Sequence, residues 1–211
     1  VLLAKAGQVK EEDMFSNRDA TPRFDEFLAF LGERVALRGW PDYRGGLDTK
    51  ADLTGAHSVY TKWGNYEIMF HVSTLLPYST ADPQQLERKR HIGNDIVVVV
   101  FQEDADTPYS PLTISSAFNH VFVVVNPLPP AAPGLPARYR ITIAAKDGVR
   151  PWKPLMPAPC VFERTPALRE FLLTKLVNAE RAAYHARAFG DKITRTRRTV
   201  LANLINEFAN K

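Results

Sequence analysis

The sequence of 211 residues contains a single cysteine, Cys160. One cysteine cannot form a disulfide within the chain, which favours a reducing compartment such as the cytoplasm. Cys160 has no dedicated base beside it in sequence, so we interpret it as an ordinary structural thiol. No apolar stretch approaches the ~18 residues that a membrane-spanning helix needs. These absences argue against a disulfide-stapled secreted domain and against a transmembrane helix.

Metal-ligand spacing and a concentrated basic face are also missing. The five histidines do not fall into a recognised zinc pattern. The net charge of +4, spread over 27 basic residues, is mild, whereas nucleic-acid binders usually concentrate basic residues on one face or beside aromatic platforms. We therefore expect no metal site and no nucleic-acid partner. The excess charge indicates at most a weak attraction to an acidic protein surface or to anionic lipid headgroups.

The hydrophobic pattern predicts one soluble domain in which strands and helices are mixed. The composition, 45% hydrophobic and 24% charged, suits a single core. The strand at residues 96–101 is apolar on both faces, which requires cover above and below its sheet. The fold class is therefore α/β with a helical C-terminal part. Strands are predicted at 57–63, 66–75, 96–101, 121–125 and 138–145, helices at 21–31, 83–91, from 165 onward and around 200–208, and a proline-rich loop at 127–137.

The most informative stretch runs from Arg88 to Val97, Arg-Lys-Arg-His-Ile-Gly-Asn-Asp-Ile-Val. It joins a cationic turn to a β-branched strand. Glycine and asparagine tolerate backbone conformations that other residues avoid, so we expect Asn94 on a sharp, exposed corner with its amide pointing outward beside positive charge. Such a corner suits a phosphate-bearing partner. Taken alone, the basic run also fits a solvated helix end, and Gly93-Asn94 also fits a simple turn.

Four sequence blocks in order resemble the Rap GTPase-activating protein family, in its Rap-directed branch. The same core resembles tuberin and the Ral-directed activators more loosely. The agreement extends from roughly Phe24 to Phe208. The resemblance implies a central mixed β-sheet flanked by helices. The blocks are Arg-Gly-Gly-Leu-Asp-Thr at 44–49, Glu-Ile-Met-Phe-His-Val-Ser-Thr-Leu-Leu-Pro at 67–77, residues 84–97 beginning Gln-Gln-Leu-Glu, and Phe-Leu-Leu-Thr-Lys-Leu-Val-Asn-Ala-Glu at 171–180.

Asn94 matches the catalytic asparagine of that family, the Asn thumb. The resemblance implies that this side chain enters the nucleotide site of a GTP-bound Rap-type GTPase and orients the attacking water, because Rap lacks the glutamine that related GTPases use. A carboxamide both accepts and donates hydrogen bonds but is no strong base, so it would act by positioning. GTP and Mg²⁺ belong to the partner, and the domain needs no cofactor of its own.

Four further residues are candidates for partner binding: Lys89, Arg90, His91 and Phe118. Each has an alternative that the residues leave open. Lys89 could instead brace the helix that carries Asn94, and Arg90, like Arg88, could serve as an arginine finger. His91 could bond a backbone carbonyl, and Phe118 could pack in the core. The whole domain could also be a Rap-GTP-binding scaffold without catalysis, although the intact Asn94 favours activity.

The domain proper is expected at residues 16–211. Residues 1–15 have two interpretations, an N-terminal strand of this domain or the remnant of a preceding dimerisation domain of the kind that the family carries. In the second case a homodimer would form through a part absent from this chain. A cytoplasmic location follows from the composition, and recruitment to membranes would be indirect, through lipidated Rap.

Overall fold

The computed structural model describes residues 1–209, apart from the side chains of residues 188, 192, 193 and 209. The strands are β1 Leu2–Ala4, β2 Glu33–Ala36, β3 His57–Trp63, β4 Tyr66–Phe70, β5 Val97–Gln102, β6 Val121–Leu128, β7 Arg138–Ala145 and β8 Val161–Glu163. The helices are α1 Glu11–Phe15, α2 Pro22–Leu31, α3 Leu86–Ile92, α4 Pro166–Ala183 and α5 Arg187–Ala209, with a 3₁₀ turn at Pro111–Thr113.

Five of the strands form a mixed central sheet in the order β1-β5-β6-β7-β8. β5 pairs in parallel with both β1 and β6, while β6–β7 and β7–β8 are antiparallel. The other three strands form an antiparallel sheet in the order β2-β3-β4. The predicted α/β class, with a mixed sheet and a helical C-terminus, is confirmed.

The central sheet is buried on both faces, as the apolar run at 96–101 predicts. Alternate residues of a strand point to opposite faces, and the structure has a separate apolar core on each side. Val99 and Phe101 of β5 pack in the core that α2 and α4 cover. Val98 and Val100 pack in the second core, which α1 and the end of α3 cover.

Local capping signals set the beginnings of two long helices. Thr21 and Thr165 lie directly before α2 and α4, and each hydroxyl accepts a hydrogen bond from the backbone N–H three residues later. Proline follows at the first helical position in both cases, where its missing N–H costs nothing. Both predicted helix starts are confirmed.

Several predicted boundaries are wrong. The strand expected at 121–125 extends to Leu128, so the first two residues of the loop expected at 127–137 belong to β6. The helix expected from Pro83 begins at Leu86, because Gln85 takes a left-handed conformation with φ +49°. The carboxylate of Asp82 accepts the N–H of Leu86, the first residue of the helix. The strand expected through residue 75 ends at Phe70, since residues 72–76 form backbone turns and Ser73 bonds the carbonyl of Val1 instead.

Residues 1–15 contribute to this domain. β1 is fully buried and lies parallel to β5 in the central sheet. Met14 and Phe15 of α1 pack in the second core. The segment is thus a structural part of the sheet and its cover, and the division of the chain at residue 16 stays a prediction.

Arg88 is the largest fully buried side chain, with 1% of its surface exposed. Its guanidinium donates to the carbonyl oxygens of Phe15 and Asn17 at 2.7 and 2.8 Å. It also donates to those of Leu76 and Pro77 at 3.1–3.3 Å. Burial lowers the pKa of Arg88. This position excludes Arg88 as an arginine finger, because the group cannot leave these contacts and reach another molecule.

Arg88→Met should lower the free energy of unfolding by roughly 3 kcal/mol or more. Several buried carbonyls would lose their donor, and each unsatisfied buried group costs about 1–3 kcal/mol. Urea unfolding measures the change. The matched control is Arg90→Ala on the exposed face of the same helix, which should stay within about 0.5 kcal/mol of the wild type. Equal effects of the two substitutions would contradict the structural role of Arg88.

Candidate functional site

The site lies where α3 ends and β5 begins. The two elements are joined by residues 93–96, which border a cleft of about 510 Å³ between β4 and α4. The cleft lining includes Asn94, Asp95, His71, Met69 and Leu176. The candidate catalytic residue is therefore at a concave surface, where partner or ligand groups can be surrounded on several sides.

Asn94 is exposed, as expected, but its amide does not point freely outward. The side-chain nitrogen donates to the carbonyl oxygen of Arg90 at 2.7 Å, one of the carbonyls that a helix end leaves unpaired. The Asn94 amide oxygen accepts no hydrogen bond from the described residues. Gly93 has an ordinary helical φ of −68°, so the expected special conformation is absent. Gly93 is needed for steric reasons instead, since a Cβ atom at this position would lie only 2.5 Å from the Lys89 carbonyl oxygen.

The candidate partner-binding residues of α3 face different surroundings. Arg90 is exposed over 72% of its side chain and lies 3.8 Å from the carboxylate of Glu87. Lys89 lies 3.4 Å from the Glu11 carboxylate and over the Phe15 ring, so it contacts the N-terminal segment of its own chain. Of these two residues, only Arg90 presents its charge fully to the solvent. Partner contact by either residue stays a prediction.

Phe118 lies on the loop before β6 and is 43% exposed. Its nearest aromatic neighbour is Phe189 of α5, with ring centroids 6.5 Å apart. The alternative of core packing does not fit this exposure. The structure brings the Phe118 loop beside the Asn94 connection, because the hydroxyl of Ser116 donates to the Gly93 carbonyl oxygen at 2.5 Å.

The sequence analysis missed a contact that connects three parts of the site. The Nε2 atom of His71 lies 2.8 Å from the carbonyl oxygen of Gly45, and its Nδ1 atom lies 2.9 Å from the carboxylate of Asp95. Both ring nitrogens face acceptors, so the ring satisfies both only when it donates from both. His71 thereby connects the glycine turn at 45–46 to the residue after Asn94.

His91 is half-buried beside this group, with its ring 5.2 Å from that of His71. Burial, and then the neighbouring His71, lower the pKa of His91. Arg90 acts in the same direction, while Glu87 and Asp95 oppose the shift. A neutral His91 is therefore favoured in the folded protein near neutral pH.

The described residues show no group of three His, Cys, Asp or Glu side chains that could bind a metal ion. In the same part of the chain no helix is both long and apolar enough to span a bilayer. The polar groups near Asn94 include the Arg90 guanidinium and the His71 imidazole, which contacts the Asp95 carboxylate. Glu67, Glu180 and Arg181 line the same cleft as Asn94. The amide, guanidinium and imidazole groups can orient a water or contact phosphate oxygens.

Comparisons with known proteins give a consistent result. The Rap/ran-GAP family model matches residues 14–198. The chain is 47% identical over 208 residues to signal-induced proliferation-associated 1-like protein 2 of Homo sapiens, covering 99% of this chain and 12% of that protein. It is 44% identical over 209 residues to a PH and Rap-GAP domain-containing protein of Dictyostelium discoideum, covering 99% of this chain and 17% of that protein. The chain thus spans less than a fifth of the length of these curated relatives.

A solved structure agrees with the sequence matches. The TSC2 GAP domain superimposes with a TM-score of 0.74 at 30% sequence identity, covering 86% of this chain and 93% of that one. The shared fold includes most of the present domain.

His91→Gln should reduce the loss of stability at acidic pH. The folded state holds the His91 pKa below the usual 6.5, so the unfolded state binds more protons as the pH falls through that value. Acidification then favours unfolding, and stability rises again toward neutral pH. Urea midpoints at pH 5 and pH 7.5 measure the difference in both proteins. The same acid-dependent loss in the variant would contradict the assignment to His91.

Proposed function

This chain belongs to the Rap/ran-GAP family, and we propose that it stimulates GTP hydrolysis on a Rap-type small GTPase by inserting Asn94 into the partner's nucleotide site. The observation that carries the proposal is the position of Asn94. It is an exposed carboxamide at the end of a helix, on the edge of a cleft, with the exposed cation of Arg90 one turn before it.

The chemistry of a carboxamide fits this task. Hydrolysis of GTP requires a water in line with the γ-phosphate and stabilisation of the developing charge. The unpaired amide oxygen of Asn94 can accept a hydrogen bond from that water, while the amide nitrogen can donate to it or to a phosphate oxygen. Since Asn94 has no acid or base function, its contribution comes from position and dipole.

The resting contact of Asn94 does not oppose this role. Its amide nitrogen donates to the Arg90 carbonyl oxygen in an exposed hydrogen bond. Breaking such a bond costs about 1 kcal/mol net, and water can then solvate the carbonyl. A rotation of the Asn94 side chain toward a bound partner is therefore inexpensive. GTP and Mg²⁺ would both be supplied by the partner, so the proposal requires no cofactor on this chain.

Asn94→Ala should reduce stimulated hydrolysis by roughly 10²-fold or more, as expected for the loss of one preorganised transition-state group. Binding to GTP-loaded Rap should remain within a few-fold of the wild type. Single-turnover release of phosphate from GTP-loaded Rap measures the first quantity, and a pull-down or titration measures the second.

The matched control for this experiment is Asn203→Ala, since Asn203 is an exposed asparagine on α5 outside the cleft. The Asn203→Ala chain should stimulate GTP hydrolysis on Rap to the same rate as the wild-type chain. Full stimulation by Asn94→Ala would refute the Asn-thumb mechanism. No stimulation by the wild-type chain would favour the scaffold alternative, provided that GTP-loaded Rap still binds.

Arg90→Ala should weaken association with Rap by roughly 2- to 5-fold, the range of an exposed ion pair. The difference from wild type should shrink at high salt, because an exposed charge acts mainly through the electrostatics of encounter. The rate constant of GTP hydrolysis at a saturating concentration of the chain should be unchanged. A fall of 10³-fold or more in that rate constant, with association intact, would instead identify Arg90 as an arginine finger.

A further inference from the structure

The backbone on both sides of Asn94 is bonded by one neighbouring segment, residues 116–120. β5 and β6 are parallel, with Val97 paired to Val121. The segments that precede these two strands therefore enter the sheet side by side. The N–H groups of His120 and Val121 both donate to the carbonyl oxygen of Ile96 at 2.8 and 3.1 Å. The register of the central sheet thus brings the 116–120 segment against the Asn94 connection.

Ser116 bonds the residue immediately before Asn94. Its hydroxyl donates to the Gly93 carbonyl oxygen at 2.5 Å. The hydroxyl oxygen of Ser116 itself accepts the backbone N–H groups of Phe118 and Asn119 at 3.0 and 3.2 Å. Since those two donors occupy the lone pairs, the hydroxyl proton is directed at Gly93. The Ser116 carbonyl oxygen in turn accepts a hydrogen bond from the Lys146 ammonium group at 2.5 Å, which attaches the segment to the residue following β7.

Asn119 bonds both sides of the same turn. It is fully buried, and its amide nitrogen donates to the carbonyl oxygens of Ile92 at 2.9 Å and Asp95 at 2.6 Å. These carbonyls lie two residues before and one residue after Asn94. The orientation of the amide is determined by its surroundings, because the flipped amide would direct an oxygen at two carbonyl oxygens.

The buried oxygen of Asn119 has no hydrogen-bond partner in the described part of the chain. A buried acceptor without a donor costs about 1–3 kcal/mol, so an asparagine is a costly choice if it serves packing alone. Its two N–H groups are used entirely on the turn that carries Asn94. The Asn119 side chain thus leaves its oxygen unpaired while its nitrogen makes two hydrogen bonds to the turn. This difference indicates that the N–H groups of Asn119 have a function.

We propose that Ser116 and Asn119 are positioning residues for Asn94, an inference that rests on the proposed function. They satisfy the carbonyl oxygens of Gly93 and Asp95 at the end of the helix and in the connection. They also add a second donor to the Ile92 carbonyl oxygen, which accepts the backbone N–H of Asp95 as well. The backbone around Asn94 is thereby fixed, while the Asn94 side chain remains free to rotate. A catalytic group must lie within about 0.5 Å of its productive position, and a displacement of about 1 Å can reduce a rate by 10²-fold.

The test compares Ser116→Ala, Asn119→Leu and Ser116→Thr in single-turnover hydrolysis on GTP-loaded Rap, with the chain concentration varied. Ser116→Ala and Asn119→Leu should each lower the saturating rate constant by roughly 10- to 100-fold. The concentration of chain that gives half-saturation should change less than about 2-fold. Ser116→Thr retains the hydroxyl and should restore most of the rate. Ser115→Ala is the control, because Ser115 is the exposed neighbour outside these contacts.

A second comparison uses Asn94→Ala as the background. If Ser116 acts through Asn94, adding Ser116→Ala to Asn94→Ala should cause little further loss, because coupled residues are not additive. Wild-type rates in both Ser116→Ala and Asn119→Leu would overturn the inference, provided that Asn94→Ala loses activity. The inference would also be overturned if these variants raised the half-saturating concentration of chain and lowered the melting temperature together, since both changes indicate a general structural defect. Full activity of Asn94→Ala would instead refute the proposed function itself.

Discussion

The position of α3 depends on a buried guanidinium whose charge is solvated by backbone carbonyls. A helix of seven residues is too short to be stable by itself in water. Arg88 lies at its buried face and donates to carbonyls at the end of α1 and just after it, and to those of residues 76–77. Within the described part of the chain no carboxylate lies in ion-pair distance of it. A buried cation is costly unless hydrogen-bond acceptors surround it. The hydrogen bonds from Arg88 to backbone carbonyls therefore favour one arrangement of α3, the end of α1 and residues 76–77.

The other end of α3 is determined by a separate set of contacts. The parallel register of β5 and β6 places the 116–120 segment beside the Asn94 connection, and Ser116 and Asn119 bond its carbonyls. On the opposite side His71 connects Asp95 to the turn at Gly45. An exposed, rotatable carboxamide is thus carried on a backbone that is bonded from two sides. This combination fits the proposed entry of Asn94 into a partner, which requires a defined orientation of the side chain.

Local signals in the sequence predicted those parts of the fold that depend on neighbouring residues. The starts of α2 and α4 follow from a threonine and a proline in succession. β7 has the predicted bounds, and the hairpin between β3 and β4 turns at Gly64. The start of α3 was missed, because nothing near Gln85 announces its left-handed conformation. The burial of Arg88 was also missed, since a basic run normally indicates a solvated surface.

By itself, the sequence determined the α/β class, the two-sided burial of β5 and the identity of Asn94 as the candidate catalytic residue. The first two depend on residue type and spacing along the chain, whereas the candidate role of Asn94 rests on the resemblance of four ordered sequence blocks to a known family. Only the tertiary structure decided which face of the Arg88–His91 run is buried, where the Asn94 amide rests, and that Ser116, Asn119 and His71 contact its connection. The Asn94 amide bonds a residue only four positions away, but the other contacts join residues about 20 to 70 positions apart. Sheet register and core packing bring such residues together, and neither is visible in a local pattern of side chains.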